Sequence, residues 1–226
     1  MSPKKPKIPG GTIDRLSATY QYLLRKGKDS DQSGDKRDLN REVRDALVPD
    51  YLRLEMANIL FGLSQEGLCS GGISEASYQF RENQFLVTRK GCWFNDLADD
   101  DLILLLANTS QDLNSESRPQ HWDWHLAVYQ RNPEIKAIIL GQPADVMALA
   151  SKDLLPQIDI LSTAAEYLQG FSLCRADTVD IGEYSQASQV LVLPGTGVLS
   201  FGSSLVEAAI KLELINKLAE ITLLAK

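Results

Sequence analysis

Residues 190–224 read VLVLPGTGVLSFGSSLVEAAIKLELINKLAEITLL. Val190 to Leu193 and Val198 to Phe201 are apolar runs of strand length. Between them stands Pro194-Gly195-Thr196-Gly197, a turn signal that makes the two runs a hairpin. Ser204 and Glu207 then form a capping box, a hydroxyl and a carboxylate that satisfy orphan N–H groups of a first helical turn. The helix they open is broadly apolar as far as Leu224, so it must be covered, by the core and by any oligomer interface. A hairpin feeding an apolar helix points to a sheet covered by helices.

The rest of the body repeats that alternation. Leu52, Met56, Ile59, Leu60 and Leu63 recur at helical spacing between Pro49, which suits a first turn, and Gly67, which suits a stop. A small-residue loop, CSGGISEAS, runs from Cys69 to Ser77. Tyr78–Phe80 and Gln84–Thr88 are expected as strands around a turn at Arg81–Asn83. Asp99 to Leu106 is acidic and then aliphatic, a turn followed by a strand. His121 to Gln130 is an amphipathic helix stopped before Pro133, Ile135 to Leu140 is a strand, and Ala144 to Ala150 is helical. With hairpins among alternating elements, the expected fold is α/β, with a central mixed or antiparallel sheet covered by helices.

Composition sets outer bounds. The 226 residues are 44% apolar and 23% charged, ordinary for a globular chain. No apolar run reaches the roughly 18 residues that span a bilayer. Lysines near the N-terminus have no apolar segment behind them, so no secretory signal is expected. Cys69, Cys92 and Cys174 are few, odd in number and widely spaced, which suits reduced thiols and a cytoplasmic location.

Residues 1–28 hold seven Lys/Arg and one acid, Asp14, a net +6. The remainder holds 16 Lys/Arg and 29 Asp/Glu, a net −13. An acidic body repels a phosphate backbone, which disfavours nucleic-acid binding by the body. Pro3, Pro6, Pro9 and Gly10 make the first ten residues irregular. Thr12 can cap a short helix over Ile13–Lys26, and residues 28–38 (KDSDQSGDKRD) read as a polar linker. The division is therefore a basic extension and linker over residues 1–45 and a folded domain over residues 46–226.

Four blocks within that domain carry a resemblance. Gly67-Leu68-Cys69-Ser70-Gly71, closing at Ser77, is the first. Phe85-Leu86-Val87-Thr88, Gly91, Asp96-Leu97 and Asp101-Leu102 make the second. Trp122, His125 to Tyr129, Pro133 and Ala137-Ile138-Ile139 make the third, and Gly197-Val198-Leu199 with Gly202 the fourth. In order and internal spacing these resemble the class II aldolase/adducin family from about Leu52 onward. The resemblance implies a three-layer fold, a homotetramer with sites between subunits, and a zinc cofactor. It places a phosphate loop over Ser70, Gly71, Gly72, Glu75 and Ser77, with Thr88, Lys90 and Gly91 beside it.

The positions that carry the family's chemistry depart from its pattern. Leu140, Gln142 and Thr196 stand where the resemblance implies three zinc histidines, and His121 stands where it implies a catalytic glutamate. The chain has two histidines in all, His121 and His125, too few for a three-histidine site. Leucine has no lone pair to donate, and Gln and Thr oxygens are poor zinc donors beside imidazole. Glu75 and Lys90 replace an asparagine and a serine of the phosphate loop; a carboxylate there repels a phosphate, and Lys90 partly offsets it. Zinc would supply the Lewis acid that stabilises an enediolate, and its ligands are missing, so no cofactor is expected.

The reading these departures favour is a domain without catalysis, a binding or scaffold protein with a protein partner. One alternative is a diverged carbon–carbon lyase or sugar-phosphate isomerase using His121, Gln142, Thr196, Lys90 and Glu75. A second is nucleic-acid binding through residues 4–28; Lys7 to Leu23 is similar to the opening of winged-helix redox-sensing repressors. His121 and His125 share a helix face, yet Trp122 follows His121 where a metalloprotease helix needs Glu. Trp93, Trp122 and Trp124 are expected to pack in the core or an interface. Cys69 borders the glycine loop with no basic neighbour in sequence to activate it.

Overall fold

A computed structural model describes residues 41–107, 117–168, 170–174 and 180–225. The chain divides between Asp50 and Tyr51. In the first unit residues 41–47 are helical, and Arg44 donates from Nε and Nη2 to the Asp45 carboxylate at 3.0 and 2.8 Å. The expected helix over Ile13–Lys26, its Thr12 cap and the linker over residues 28–38 lie outside the described residues.

The body opens with α1 (Asp50–Gln65), the hairpin β1 (Glu75–Arg81) and β2 (Gln84–Thr88), and β3 (Leu102–Leu106). There follow α2 (Trp122–Arg131), β4 (Ala137–Gly141), α3 (Ala144–Ala150), α4 (Ser162–Leu168) and β5 (Phe171–Leu173). The chain ends with α5 (Ile181–Ala187), β6 (Val190–Leu193), β7 (Gly197–Gly202) and α6 (Leu205–Leu224). The strands form one seven-stranded sheet in the order β3-β2-β1-β4-β7-β6-β5. Every neighbouring pair is antiparallel except β5 and β6. The sheet is therefore mixed.

Helices cover both faces, which makes three layers. On one face α2 and α5 pack over an apolar cluster that includes Phe85, Ile138, Leu140, Leu199 and Phe201. Phe85 meets Trp122 edge to face at 5.1 Å and lies 5.0 Å from the Tyr129 ring. On the other face α6 packs on β4 and β7, with α3 and α4 against it. Buried aliphatic side chains of α6, such as Leu212, Ile215 and Leu218, contribute about 1.5–3 kcal/mol each relative to exposure. Among the described residues no helix is long and apolar enough to cross a membrane.

Local chemistry explains the boundaries. Gly67, at φ +72°, ends α1, and the Leu68 N–H returns to the Leu63 carbonyl at 2.9 Å, a turn that glycine enters without strain. Pro49 sits just ahead of α1 rather than inside its first turn. The Ser204 hydroxyl accepts from Glu207 N–H at 3.2 Å, as the capping box requires. Its other half differs: the Glu207 carboxylate accepts from the Ser203 N–H and hydroxyl at 2.7 and 2.6 Å. The expected Cys69–Ser77 loop is shorter, because Glu75, Ala76 and Ser77 pair with Leu140, Ile139 and Ile138 and belong to β1. The small residues there do not break the strand, because pairing with β4 holds it from Glu75 onward and β2 joins only at Ser77. The elements α4, β5 and α5 are short and weakly patterned, and no expectation from sequence covers them.

Candidate functional site

The antiparallel pairing of β1 and β4 sets Glu75 opposite Leu140 and Ser77 opposite Ile138. Glu75 and Ser77, two apart on one strand, face the same side of the sheet. Helix α2 lies across that side and brings His121, His125 and Tyr129 down on it at helical spacing.

Glu75 is buried, at 5% exposure, and its carboxylate meets the start of α2. Oε1 accepts from the Gln120 N–H at 2.7 Å and lies 3.2 Å from Nδ1 of His121. Oε2 accepts from the His121 N–H at 3.1 Å. Burial alone would raise the Glu75 pKa; the hydrogen bond from His121, the nearby His125 and the backbone donor outweigh it and hold the carboxyl below its ordinary value. The His121 ring stacks on Trp124 with centroids 4.3 Å apart, so its orientation is fixed from the other side.

Deeper along the strand, Nδ1 of His125 is 2.7 Å from the Ser77 hydroxyl, which is 2.7 Å from the Tyr129 hydroxyl. The Tyr129 hydroxyl also lies 3.0 Å from the Ser77 carbonyl. His125 is fully buried, and burial, with Glu75 opposing and His121 adding to it, lowers its pKa to about 4. It is therefore neutral near pH 7. Its Nε2 is 3.8 Å from Glu75 Oε2 and has no hydrogen-bond partner among the described residues. A lone pair facing a carboxylate would be repelled, which favours the tautomer with the proton on Nε2 and the Ser77 hydroxyl donating to Nδ1.

Gln142 belongs to a second group. Its Oε1 accepts from the Ser74 hydroxyl at 2.6 Å and from the Ser70 N–H at 3.4 Å, and its Nε2 donates to the Ile73 carbonyl at 3.2 Å. Both ends of the amide thus brace the glycine loop against the end of β4. In that loop Gly71 leaves room for the Trp93 ring, which a Cβ would meet at 3.5 Å. Gly72, at φ +75°, sits where a Cβ would meet the Gly91 carbonyl at 3.2 Å. Trp93 is exposed in the single chain, at 58%, and so lies outside the core, its ring over the outside of this loop. Trp122 is buried in the apolar cluster and Trp124 packs against its edge.

The remaining predicted positions are dispersed. The Thr88 hydroxyl is buried between strands, accepting from Ala76 N–H at 2.9 Å. Lys90 is exposed in the turn after β2, its backbone N–H donating to the Ser117 carbonyl at 2.8 Å. Thr196 is half-buried in the β6–β7 turn. The next residue, Gly197, lies against its partners: a Cβ there would be 3.0 Å from Leu140 Cδ1 and 3.4 Å from Gln142 Nε2. Burial pushes the Cys69 thiol up to about 12, against a weaker hydrogen bond from Ser74, which keeps it protonated and unreactive. No expectation from sequence gave a site role to Ser74, Gln120 or Tyr129. Tyr129 could have been found from its position four residues after His125 on the same helix face.

The residues do not fit a zinc ion at the positions the fold family implies. Leu140 is fully buried in the apolar cluster and has no donor atom. The Gln142 oxygen is already taken by Ser74, and a lone threonine hydroxyl from Thr196 is a weak ligand. Among the described residues no group of three or more His, Cys, Asp or Glu side chains is arranged to hold a metal ion.

A mixed sheet between two helical layers, with its polar cluster where the ends of β1 and β4 meet the start of α2, defines a class: the aldolase-like three-layer α/β proteins. Residues 54–223 match the model of the Class II Aldolase and Adducin N-terminal domain, and the chain belongs to that family. A 3-oxo-tetronate 4-phosphate decarboxylase of Escherichia coli strain K12 is 24% identical over 191 residues, 78% of this chain and 88% of that protein. A crystal structure of a putative aldolase/epimerase/decarboxylase from Escherichia coli superposes with a TM-score of 0.69 at 22% identity, covering 78% of this chain and 90% of that one. An L-fuculose-1-phosphate aldolase from Thermus thermophilus gives 0.66 at 21% identity, covering 75% and 91%. At these identities the structural likeness bears on the fold.

Proposed function

We propose that this chain is a family member without a zinc-dependent aldolase centre, acting as a binding or scaffold protein in a homo-oligomer. The observation that carries the reading is at Leu140 and Gln142. Leu140 is a core side chain in the apolar cluster, and the Gln142 amide is committed at both ends to the glycine loop. Neither has a donor to spare for a cation. Without a Lewis acid, the developing enediolate of a retro-aldol cleavage lacks several kcal/mol of stabilisation.

A second reading is favoured by the Glu75–His121 contact at 3.2 Å and by the decarboxylase name of the Escherichia coli relative. A carboxylate against an imidazole is a general acid–base pair, and His121 is partly exposed, with 20% of its side chain in contact with solvent. That would make the chain a diverged, metal-independent lyase, isomerase or decarboxylase on a sugar phosphate. A role for the basic segment over residues 4–28 in binding nucleic acid is a third and weaker reading, since the body repels phosphate.

Elemental analysis of the purified protein after dialysis against zinc, paired with assays of cleavage and decarboxylation on a panel of sugar phosphates, separates these. Substoichiometric zinc and no turnover are expected. Tightly held zinc would sink the first reading; turnover without metal, lost in His121→Gln, would establish the second.

A further inference from the structure

The geometry points to a self-filled anion site: the backbone N–H groups of Gln120 and His121 at the entry to α2, with the imidazoles of His121 and His125, form a carboxylate-binding cradle that Glu75 occupies as a tethered ligand. Helix α2 is ten residues long, and its N-cap residue, His121, makes no side-chain capping bond of its own. The anion comes instead from another element. Both oxygens of Glu75 are used: Oε1 by the Gln120 N–H and the His121 ring, Oε2 by the His121 N–H. Backbone donors at the positive end of a helix, with an imidazole beside them, bind an anion whether or not it is covalently attached.

A second observation points to the same place independently. His125 Nε2 is fully buried, lacks a hydrogen-bond partner among the described residues and is aimed at Glu75 Oε2 from 3.8 Å. An unsatisfied buried polar atom is costly. The tether to β1 stops the carboxylate just beyond hydrogen-bond reach of it. A free carboxylate carries no such constraint and can sit between all the donors. The ligand class is a small monocarboxylate, because removing the side chain of Glu75 beyond Cβ vacates the shape of acetate. The inference does not depend on how Leu140, Gln142 and Thr196 are read.

The test is Glu75→Ala, unfolded thermally in sodium acetate and in sodium chloride at equal ionic strength near neutral pH. Acetate is expected to raise the midpoint of the variant saturably, by about 3–5 °C at roughly tenfold its Kd. The unsubstituted protein and Glu75→Gln, whose cradles are already full, are expected to show the same midpoint in both salts. Equal midpoints for Glu75→Ala in the two salts would overturn the inference, as would an equal acetate effect on all three proteins. Should Glu75→Ala not fold in chloride, refolding from denaturant gives the same decision: recovery in acetate alone supports the cradle, and failure in both salts overturns it.

Discussion

Glu75 and His125 divide one electrostatic problem between them. The carboxylate stays ionised because donors at the start of α2 surround it, while His125, fully buried, stays neutral and spends its Nδ1 on Ser77. Acid should expose the cost. The unfolded chain binds a proton on His125 as pH falls through about 6.5, whereas the folded chain resists it until about 4. The His125 contribution is therefore level above that window, and stability is lost as pH falls through it. The shift corresponds to about 3 kcal/mol in total. Glu75, held below its ordinary value of 4.5, adds to the loss at the acid end, since its stabilising contacts need the charged form. Urea unfolding across pH 4 to 7 checks this. The native chain should weaken steadily on the acid side, and His125→Gln should flatten the curve; a pH-independent native chain would refute the assignment. At this scale the sequence revealed which residues bear chemistry but not what they touch. Ser77 reads as part of a phosphate loop from its neighbours, yet in the fold it is a buried partner of His125 and Tyr129.

At the scale of elements, β4 is the constrained piece, lying between the glycine loop and α6. A Cβ on Gly141 would stand 2.6 Å from the Leu68 carbonyl and 2.7 Å from Leu212 Cδ2. The backbone contact cannot yield without moving the Leu68–Gln142 hydrogen bond, 2.8 Å long, that joins loop to strand. Gly141→Ala is expected to destabilise the fold by about 1–3 kcal/mol, whereas Gly62→Ala, in the last turn of α1 with nothing within 4 Å, should stabilise it by up to about 1 kcal/mol. Denaturant midpoints of the two variants measure the contrast, and equal effects would contradict this account of β4. The long elements were legible because their patterns are long. The helix over Asp50–Gln65, the hairpin around Pro194–Gly197 and the capped helix beginning at Leu205 were all read from periodicity, turn residues and caps. Helix α4, strand β5 and helix α5 are three to seven residues each, too short for periodicity to rise above chance.

For the whole molecule, the surface outside α1 and α6 carries the next question. Tyr51, Leu54 and Phe61 on α1 are 66%, 64% and 49% exposed, and Val206 on α6 is 47% exposed. Val206 also lines a groove between the two helices, together with Asn58, Ile59, Gly62, Ile210 and the carboxylates of Glu66 and Glu213. Exposed apolar side chains gathered on one face are what the proposed homo-oligomer would cover. Light scattering is expected to give a mass of at least two chains, and Phe61→Glu should lower it; a monomer at working concentrations would remove oligomerisation from the reading. By itself the sequence determined an α/β fold with a mixed or antiparallel sheet and the absence of three imidazoles, because periodicity, turn chemistry and donor type are local properties of residues, while the resemblance of four motif blocks pointed to the family; the one parallel pair, β5 with β6, came from the structure. Only the tertiary structure decided that Glu75 fills the start of α2, that Gln142 braces the glycine loop and that His125 lies buried between Ser77 and Glu75. Those contacts join residues 45 or more positions apart, as in the Glu75–Gln120 bond, and strand register and helix packing alone bring such partners together.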